Sequence, residues 1–253
     1  ERAQVTAGFD QEAAVAVVAR MAAHKAEALD SADLVLWLNS VLIKLVRRFA
    51  QFSPGRPESF RNAPEVLLVP QYMYYFRRSV FVQKFLSSVD EYALARLSLG
   101  RETVGSALVM IQPTLVAYEL GRDEAAPVFC DVDSLQPERL LLIDTYFYVL
   151  VWQGRAVHEW VRGGYHEQEE YAHLRALLEL PEQDARLILE DRLPVPRLVR
   201  CHQGSPEERL IKSRLTPASG GPAGGAAAQD ENYITEDTSL ATFMDYLIKL
   251  VVK

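Results

Sequence analysis

The hydrophobic periodicity of this chain changes at Pro113, and that change limits what the chain can fold into. Up to residue 111, apolar residues recur at steps of three and four, which is typical of amphipathic helices. The spacing is most regular after Asp30, where the apolar positions are Leu34, Leu38, Val41, Leu42, Leu45 and Phe49. From residue 114 to residue 152, runs rich in β-branched and aromatic residues predict strands. We therefore expect two domains of different class in succession.

The first 111 residues are predicted to form a helical domain. The predicted helices cover residues 11–29, a segment that starts near residue 31, a segment that starts after Pro70, and residues 90–99 and 102–111. Asp30 or Ser31 is expected to cap the second helix, because short polar side chains satisfy the first backbone N–H groups. The Ser-Pro-Gly-Arg-Pro run at residues 53–57 is expected to end it, and Gly100 to separate the last two helices.

Residues 112–217 are predicted to form a small α+β domain. Strands are expected at residues 114–120, 128–132 and 139–152, the last with a turn at Asp144 and Thr145, and at residues 197–201. Helices are expected at residues 155–162, 168–178 and 182–192, the last begun by Pro181. This order predicts a central sheet that is covered by helices.

The C-terminal residues divide into a predicted flexible loop and a predicted helix. The predicted loop covers residues 218–237, of which residues 218–229 are rich in Gly, Ala, Pro and Ser, a composition typical of flexible segments. Residues 238–253 form an amphipathic pattern, with Asp237 or Thr238 as the expected N-cap. We expect the apolar face of this helix to pack back on the fold.

Composition and charge exclude several classes of protein. The formal net charge of −7 over 253 residues argues against a nucleic-acid binder. Residues 41–101 carry ten Lys and Arg against four Asp and Glu; this basic stretch is either a solvated helix surface or a contact for an acidic partner or anionic lipid. The two cysteines are far apart, which is typical of a reducing compartment. No apolar run reaches the roughly 20 residues needed to cross a bilayer.

The sequence shows no self-contained active site. The five histidines are scattered without metal-ligand spacing, so no metal site is predicted. A glycine-rich phosphate loop and a Gly-x-Ser-x-Gly nucleophile elbow are both missing. We do not predict an enzyme that acts alone.

Six motifs, in order over essentially the whole chain, resemble one family, the GTPase-activating subunit of the inner COPII vesicle coat. They are Gly-Phe-Asp-Gln-Glu-Ala-Ala at 8–14, Pro-Gln-Tyr-Met-Tyr-Tyr-Phe-Arg-Arg-Ser at 70–79, Met-Ile-Gln-Pro at 110–113, Ile-Asp-Thr-Tyr-Phe at 143–147, Arg-Leu-Pro-Val-Pro-Arg at 192–197, and Thr-Ser-Leu with Phe-Met-Asp within 238–245. The resemblance implies a helical domain followed by a gelsolin-like domain, with the last helix returning toward the helical part. It also implies that the chain is a fragment, and that the family's zinc finger precedes it, so no cofactor is expected in these residues.

The resemblance further implies a function in transport from the endoplasmic reticulum to the Golgi. The expected partners are the Sar-class small GTPase, the cargo-binding inner-coat paralogue and an outer-coat subunit with a proline-rich segment. The expected location is the cytoplasm, at the cytosolic face of the endoplasmic reticulum membrane and of COPII vesicles, through peripheral association with the coat. The alternative is a non-catalytic coat or cargo adaptor that binds proline-rich partners.

The family acts through an arginine in a Gly-Ser-Gln-Ala-Arg-Phe loop, and residues 204–210 of this chain read Gly-Ser-Pro-Glu-Glu-Arg-Leu. The resemblance therefore implies that Arg209 is an arginine finger that acts in trans. The loop is one residue longer here, and Glu207 and Glu208 precede the arginine. These glutamates either pair with Arg209 or face solvent. Arg214 is the nearest alternative finger.

A second site is implied at Tyr171 and Arg175, which match positions of the family's groove for proline-rich segments. An exposed tyrosine beside an arginine suits a polyproline ligand. The other interpretation is that Tyr171 is a half-buried helix residue.

Overall fold

The computed structural model describes residues 8–83, 88–122, 124–217 and 238–253. The chain divides into two compact units, of which the first holds the described residues 8–112 and 238–253, and the second holds residues 113–217. The loop predicted at residues 218–237 lies outside the described residues.

The described helices and strands follow the predicted order. The helices are α1 Gln11–Lys25, α2 Ser31–Phe49, α3 Val69–Arg77, α4 Val89–Arg101, α5 Val104–Ile111, α6 Arg155–Arg162, α7 Ala172–Asp191, α8 Glu208–Lys212 and α9 Leu240–Val252. The strands are β1 Gln51–Ser53, β2 Arg56–Arg61, β3 Thr114–Tyr118, β4 Ala126–Pro127, β5 Leu140–Asp144, β6 Tyr148–Gln153 and β7 Arg197–His202.

Local side-chain caps set where the helices of the first unit begin. Asp30 caps α2, because its carboxylate accepts a hydrogen bond from the backbone N–H of Asp33 at 2.8 Å. Ser239 caps α9 by accepting from the backbone N–H of Thr242. The prediction of Asp237 or Thr238 as this cap was wrong by one or two residues, because the hydroxyl of Ser239 is the group within reach of that N–H.

The C-terminal helix α9 is held at both ends within the first unit. The hydroxyl of Tyr74 donates to the carbonyl of Thr238 at 2.7 Å, just before α9 begins. At the other end, the guanidinium of Arg47 donates to the carbonyl of Val251 at 2.7 Å. Between these ties the helix buries Phe243, Leu247, Val251 and Val252.

The first unit departs from the prediction in two further places. Residues 51–61 form the antiparallel pair β1–β2, where no strand was predicted; Gly55, at a φ of 75°, allows the tight turn between them. Gly100 lies inside α4 instead of separating two helices. The break comes at Thr103, whose hydroxyl caps α5 by accepting from the N–H of Ser106 at 3.2 Å.

The second unit is built on a five-stranded sheet in the order β4-β3-β5-β6-β7. Strand β5 pairs antiparallel with β3 and with β6, while β6 pairs parallel with β7. The strand predicted at residues 128–132 is displaced to Ala126–Pro127. The carboxylate of Asp131 accepts from the N–H of Asp133 and turns the chain into a 3-10 turn, Val132–Ser134, instead of a longer strand.

Helix α7 runs through Pro181, where the prediction placed the start of a separate helix. An interior proline costs a helix about 3 kcal/mol, because it removes one hydrogen bond and crowds the preceding turn. Burial offsets this cost, since α7 lays Leu174, Leu177, Pro181 and Ala185 in the interior.

Both faces of the sheet are buried. One face packs against α6 and α7 through a core that includes Leu140, Leu142, Val149, Val151, Val157, Leu174 and Leu177. Because side chains alternate along a strand, Trp152 points to the opposite face. There it is fully buried, as is Ile211 of α8. The predicted fold class, a helical domain and a sheet flanked by helices, is confirmed.

Candidate functional site

Arg209 lies on the short helix α8, which follows the turn after the edge strand β7. Gly204 allows that turn with a φ of 89°, a backbone conformation that other residues rarely adopt. The side chain of Arg209 is exposed. The loop of residues 203–207 and the helix α8 are called the finger segment below.

The residue before Arg209, in contrast, points into the second unit. Glu208 is only 5% exposed. Its Oε2 atom accepts from the backbone N–H of Gly204 at 3.0 Å and from Nζ of Lys212 at 2.9 Å. Its Oε1 atom accepts from the indole N–H of Trp152 at 3.4 Å. Burial disfavours the charged carboxylate, but the bonds from Lys212 and Gly204 outweigh it and lower the pKa of Glu208.

The sequence left open whether Glu207 and Glu208 pair with Arg209 or face solvent, and the structure places the two glutamates differently. Glu208 neither pairs with Arg209 nor faces solvent, because its carboxylate is engaged inside the unit. Glu207 is exposed. Within the part of the chain that the structure describes, no carboxylate forms a salt bridge with Arg209. The guanidinium is thus presented to the outside.

The base of the finger segment is fixed to helix α6. The side-chain carbonyl of Gln203 accepts from the backbone N–H of Arg155 at 3.0 Å, at the start of α6. One turn further along α6, the ring of His158 stacks on the ring of His202, with 3.9 Å between centroids. Burial, the neighbouring His202 and the cation of Arg162 lower the pKa of His158. The two imidazole rings pack nearly parallel, with an interplanar angle of 13°.

Arg214, the alternative finger, lies in a different environment from Arg209. It is half-buried, and burial lowers the pKa of its guanidinium. Its backbone carbonyl accepts from the thiol of Cys130 at 3.6 Å, where the chain returns to the body of the unit. Two residues later, Thr216 donates to the carbonyl of Cys130. The backbone at Arg214 is thus held to the body of the unit. Arg209 is the more exposed of the two arginines.

Tyr171 and Arg175 flank one turn at the start of α7. Tyr171 is half-buried and ends a 3-10 turn, and its ring lies edge-on to the ring of Tyr165 at 5.3 Å. The exposed side chain of Arg175 donates to the carbonyls of His166 at 3.0 Å and Glu167 at 3.2 Å. Arg175 therefore holds in place the turn that carries Tyr165, which is 42% exposed.

The described residues contain neither a cluster of metal ligands nor a helix that could span a membrane. No group of three or more His, Cys, Asp or Glu side chains in this part of the chain is placed to hold a metal ion. None of the described helices has both the length and the apolar character needed to cross a membrane.

Sequence reasoning missed the inward position of Glu208 and its link to Trp152. One signal was present, because Glu208 and Lys212 stand four residues apart, the spacing at which Glu and Lys pair on a helix. The link to Trp152 joins residues 56 positions apart, and no local pattern predicts it.

Comparison with known proteins gives a match for each unit. Residues 10–109 match the Sec23/Sec24 helical domain, and residues 121–211 match the gelsolin repeat. The crystal structure of the human COPII-coat protein Sec24c is similar over 96% of this chain, with a TM-score of 0.70 and 13% sequence identity. This chain spans 33% of the length of that one. At 13% identity, the similarity between the two structures concerns the fold alone. Arg209 lies within the residues that match the gelsolin repeat.

Proposed function

Because residues 10–109 match the Sec23/Sec24 helical domain and residues 121–211 match the gelsolin repeat, we propose that the chain is a region of a COPII inner-coat protein and that it activates GTP hydrolysis by a Sar-class small GTPase. Arg209 acts in trans as the arginine finger. One observation carries the proposal: Arg209 is exposed on a segment that is tied to the sheet, and no carboxylate of the described residues engages it.

The chemistry needs little from this chain beyond a well-placed guanidinium. In phosphoryl transfer, negative charge spreads over the oxygens of the γ-phosphate, and an arginine from a partner offsets it. Such fingers raise hydrolysis by roughly 10³ to 10⁵. A lysine substitutes poorly, because the planar fork of five donors is lost. The proposed reaction takes place in the GTPase's own site and uses no cofactor held by these residues.

The proposal places the chain in a larger assembly. As a region of an inner-coat subunit, it works beside the cargo-binding paralogue, at the cytosolic face of the endoplasmic reticulum membrane and on COPII vesicles bound for the Golgi. The resemblance implies that the contact with the GTPase is shared with parts of the subunit outside this chain. We therefore expect the isolated chain to activate hydrolysis poorly compared with the full-length subunit.

Single-turnover GTP hydrolysis by the cognate GTPase, with the full-length subunit, tests the proposal. Arg209→Ala is expected to lower the saturating rate by roughly a hundredfold or more while GTPase binding is retained. Arg209→Lys is expected to recover little of that rate. An unchanged rate for Arg209→Ala would refute Arg209 as the finger and favour the non-catalytic adaptor.

A second function, the binding of proline-rich segments of the outer coat, is favoured by the turn at the start of α7. Tyr165 and Tyr171 present an edge-to-face aromatic pair, and Arg175 bonds to the carbonyls beneath it. Aromatic surfaces of this kind receive the polyproline helix, whose fixed shape costs little entropy on binding.

Isothermal titration with a proline-rich peptide tests this second function. Tyr171→Ala and Arg175→Ala are expected to weaken binding about tenfold, whereas Glu179→Ala, an exposed position further along α7, leaves the Kd unchanged. Equal affinity for all three variants would contradict it.

A further inference from the structure

Glu208 is a buried acid whose bonds reach three separate parts of the second unit. One partner is the backbone of Gly204, where the turn begins. Another is Lys212, the last residue of α8. The third is Trp152 in the middle of the sheet, which is fully buried. A single carboxylate thus joins both ends of the finger segment to the strand beneath it.

The bond to Trp152 gives the finger segment a fixed reference. Trp152 lies on β6, which is paired on both sides, by β5 and by β7. A fully buried aromatic residue on a central strand has almost no freedom to move. The position of Glu208 is therefore set by the sheet and not only by the loop.

The orientation of Arg209 follows from that of Glu208. Successive side chains of a helix point about 100° apart, because a turn takes 3.6 residues. With Glu208 held inward, the next side chain of α8 is turned about 100° from it, and the side chain of Arg209 is exposed. Helix α8 has only five residues, too few to be stable on its own, so it depends on such contacts with the rest of the unit.

We propose that Glu208 is a positioning residue for the arginine finger, holding α8 so that Arg209 meets the GTPase already oriented. This inference rests on the proposed function. Its benefit is preorganisation, because a group that is fixed before the encounter loses less freedom when it enters the partner's site. Glu208 touches no reacting atom and acts only through Arg209.

The first experiment separates the maximal rate from binding. Single-turnover GTP hydrolysis is measured over a range of concentrations of the full-length subunit, with Glu208→Ala and with Glu190→Ala. The second variant is a control, because Glu190 is an exposed glutamate of α7, outside the finger segment. Glu208→Ala is expected to lower the maximal rate by about tenfold to a hundredfold, with the half-saturating concentration little changed. Glu190→Ala is expected to change neither quantity.

The second experiment tests whether Glu208 acts through Arg209. In an Arg209→Ala background, Glu208→Ala is expected to have no further effect on the maximal rate, because no finger is left to orient. Should Glu208→Ala fail to fold, Glu208→Gln serves in its place, since it keeps the shape and an acceptor for Trp152 but removes the charge that holds Lys212. An intermediate rate for this variant is the expected result.

The outcomes distinguish this inference from the proposed function. The positioning role would be overturned if folded Glu208→Ala kept the full maximal rate. It would also be overturned if Glu208→Ala lowered the maximal rate equally in the natural and the Arg209→Ala backgrounds. Either result would leave Arg209 as the finger. An unchanged rate with Arg209→Ala alone would overturn both.

Discussion

Arg192 holds the carboxylate of Asp144 by two parallel hydrogen bonds, of which the Nη2 to Oδ2 bond measures 2.8 Å. Asp144 ends strand β5 and is 7% exposed, while Arg192 immediately follows helix α7. The same carboxylate accepts from the backbone N–H of Tyr146, a non-glycine residue with a φ of 72°. This ion pair therefore joins the turn between β5 and β6 to the end of α7.

Loss of the Asp144 charge is expected to destabilise the second unit strongly. Asp144→Asn leaves the Arg192 guanidinium partly buried without its counter-charge, which costs about 3 kcal/mol. Glu182→Gln is the control, because its partner Arg200 is 60% exposed, and exposed pairs contribute less than about 1 kcal/mol. Native-state hydrogen exchange of the β5 and β6 amides measures the second unit separately. Equal losses of stability in the two variants would contradict the greater contribution expected from the Asp144–Arg192 pair.

Substitution of alanine for glycine is expected to raise stability at one position and to lower it at another. A Cβ at Gly100, inside α4, would meet no atom within 4 Å. Gly100→Ala should therefore stabilise the first unit by about 1 kcal/mol, because alanine is the better helix former. A Cβ at Gly154 would lie 2.2 Å from the carbonyl oxygen of Pro137, so Gly154→Ala should destabilise the second unit by about 2 kcal/mol or more. Hydrogen exchange in each unit checks both signs, and a loss of stability with Gly100→Ala would contradict the continuous helix.

The stability contributed by Glu208 is expected to vanish in acid. Because folding lowers the pKa of Glu208, its charge stabilises the second unit at pH values above the unfolded value of about 4.5. The contribution is lost as pH falls below that value and through the folded one. Glu208→Gln should thus be less stable than the natural chain at pH 7, and the gap in stability should narrow as the pH falls below about 4.5. A gap that is constant with pH, measured by urea unfolding, would mean that the charge plays no part.

Cys201 is expected to be inert to alkylation in the folded protein. Burial, with smaller contributions from Glu208 and Glu207, raises the pKa of its thiol to about 11, so little thiolate exists at pH 8. Iodoacetamide should label Cys201 only after unfolding in urea, as read by mass spectrometry of its peptide. Rapid labelling of the native chain at this position would contradict the buried setting.

The hydrophobic pattern was sufficient to predict most of the fold. The stripe in α2 and the switch to strand-like runs after Pro113 arise from local spacing, and both are present in the structure. The misplaced boundaries at Gly100 and Pro181 share one cause. Glycine and proline disfavour a helix by a fixed local amount, and burial of neighbouring apolar residues in the folded unit outweighs it.

The site was less accessible to sequence reasoning than the fold. The family motif predicted Arg209 in a loop, whereas Arg209 lies on α8. The direction of its side chain depends on the bond between Glu208 and Trp152, two residues that are 56 positions apart. Adjacent glutamates appear equivalent in a sequence. Only the packing of α8 on the sheet makes one of them buried and the other exposed.

The most direct test of the account compares two arginines in one assay. Single-turnover GTP hydrolysis by the Sar-class GTPase is measured at saturating full-length subunit with Arg209→Ala and, separately, with Arg214→Ala. We predict that the first variant loses roughly a hundredfold or more of the maximal rate, and that the second retains most of it once it is shown to be folded. A full rate with Arg209→Ala, together with a large loss in well-folded Arg214→Ala, would contradict the account and assign the finger to Arg214.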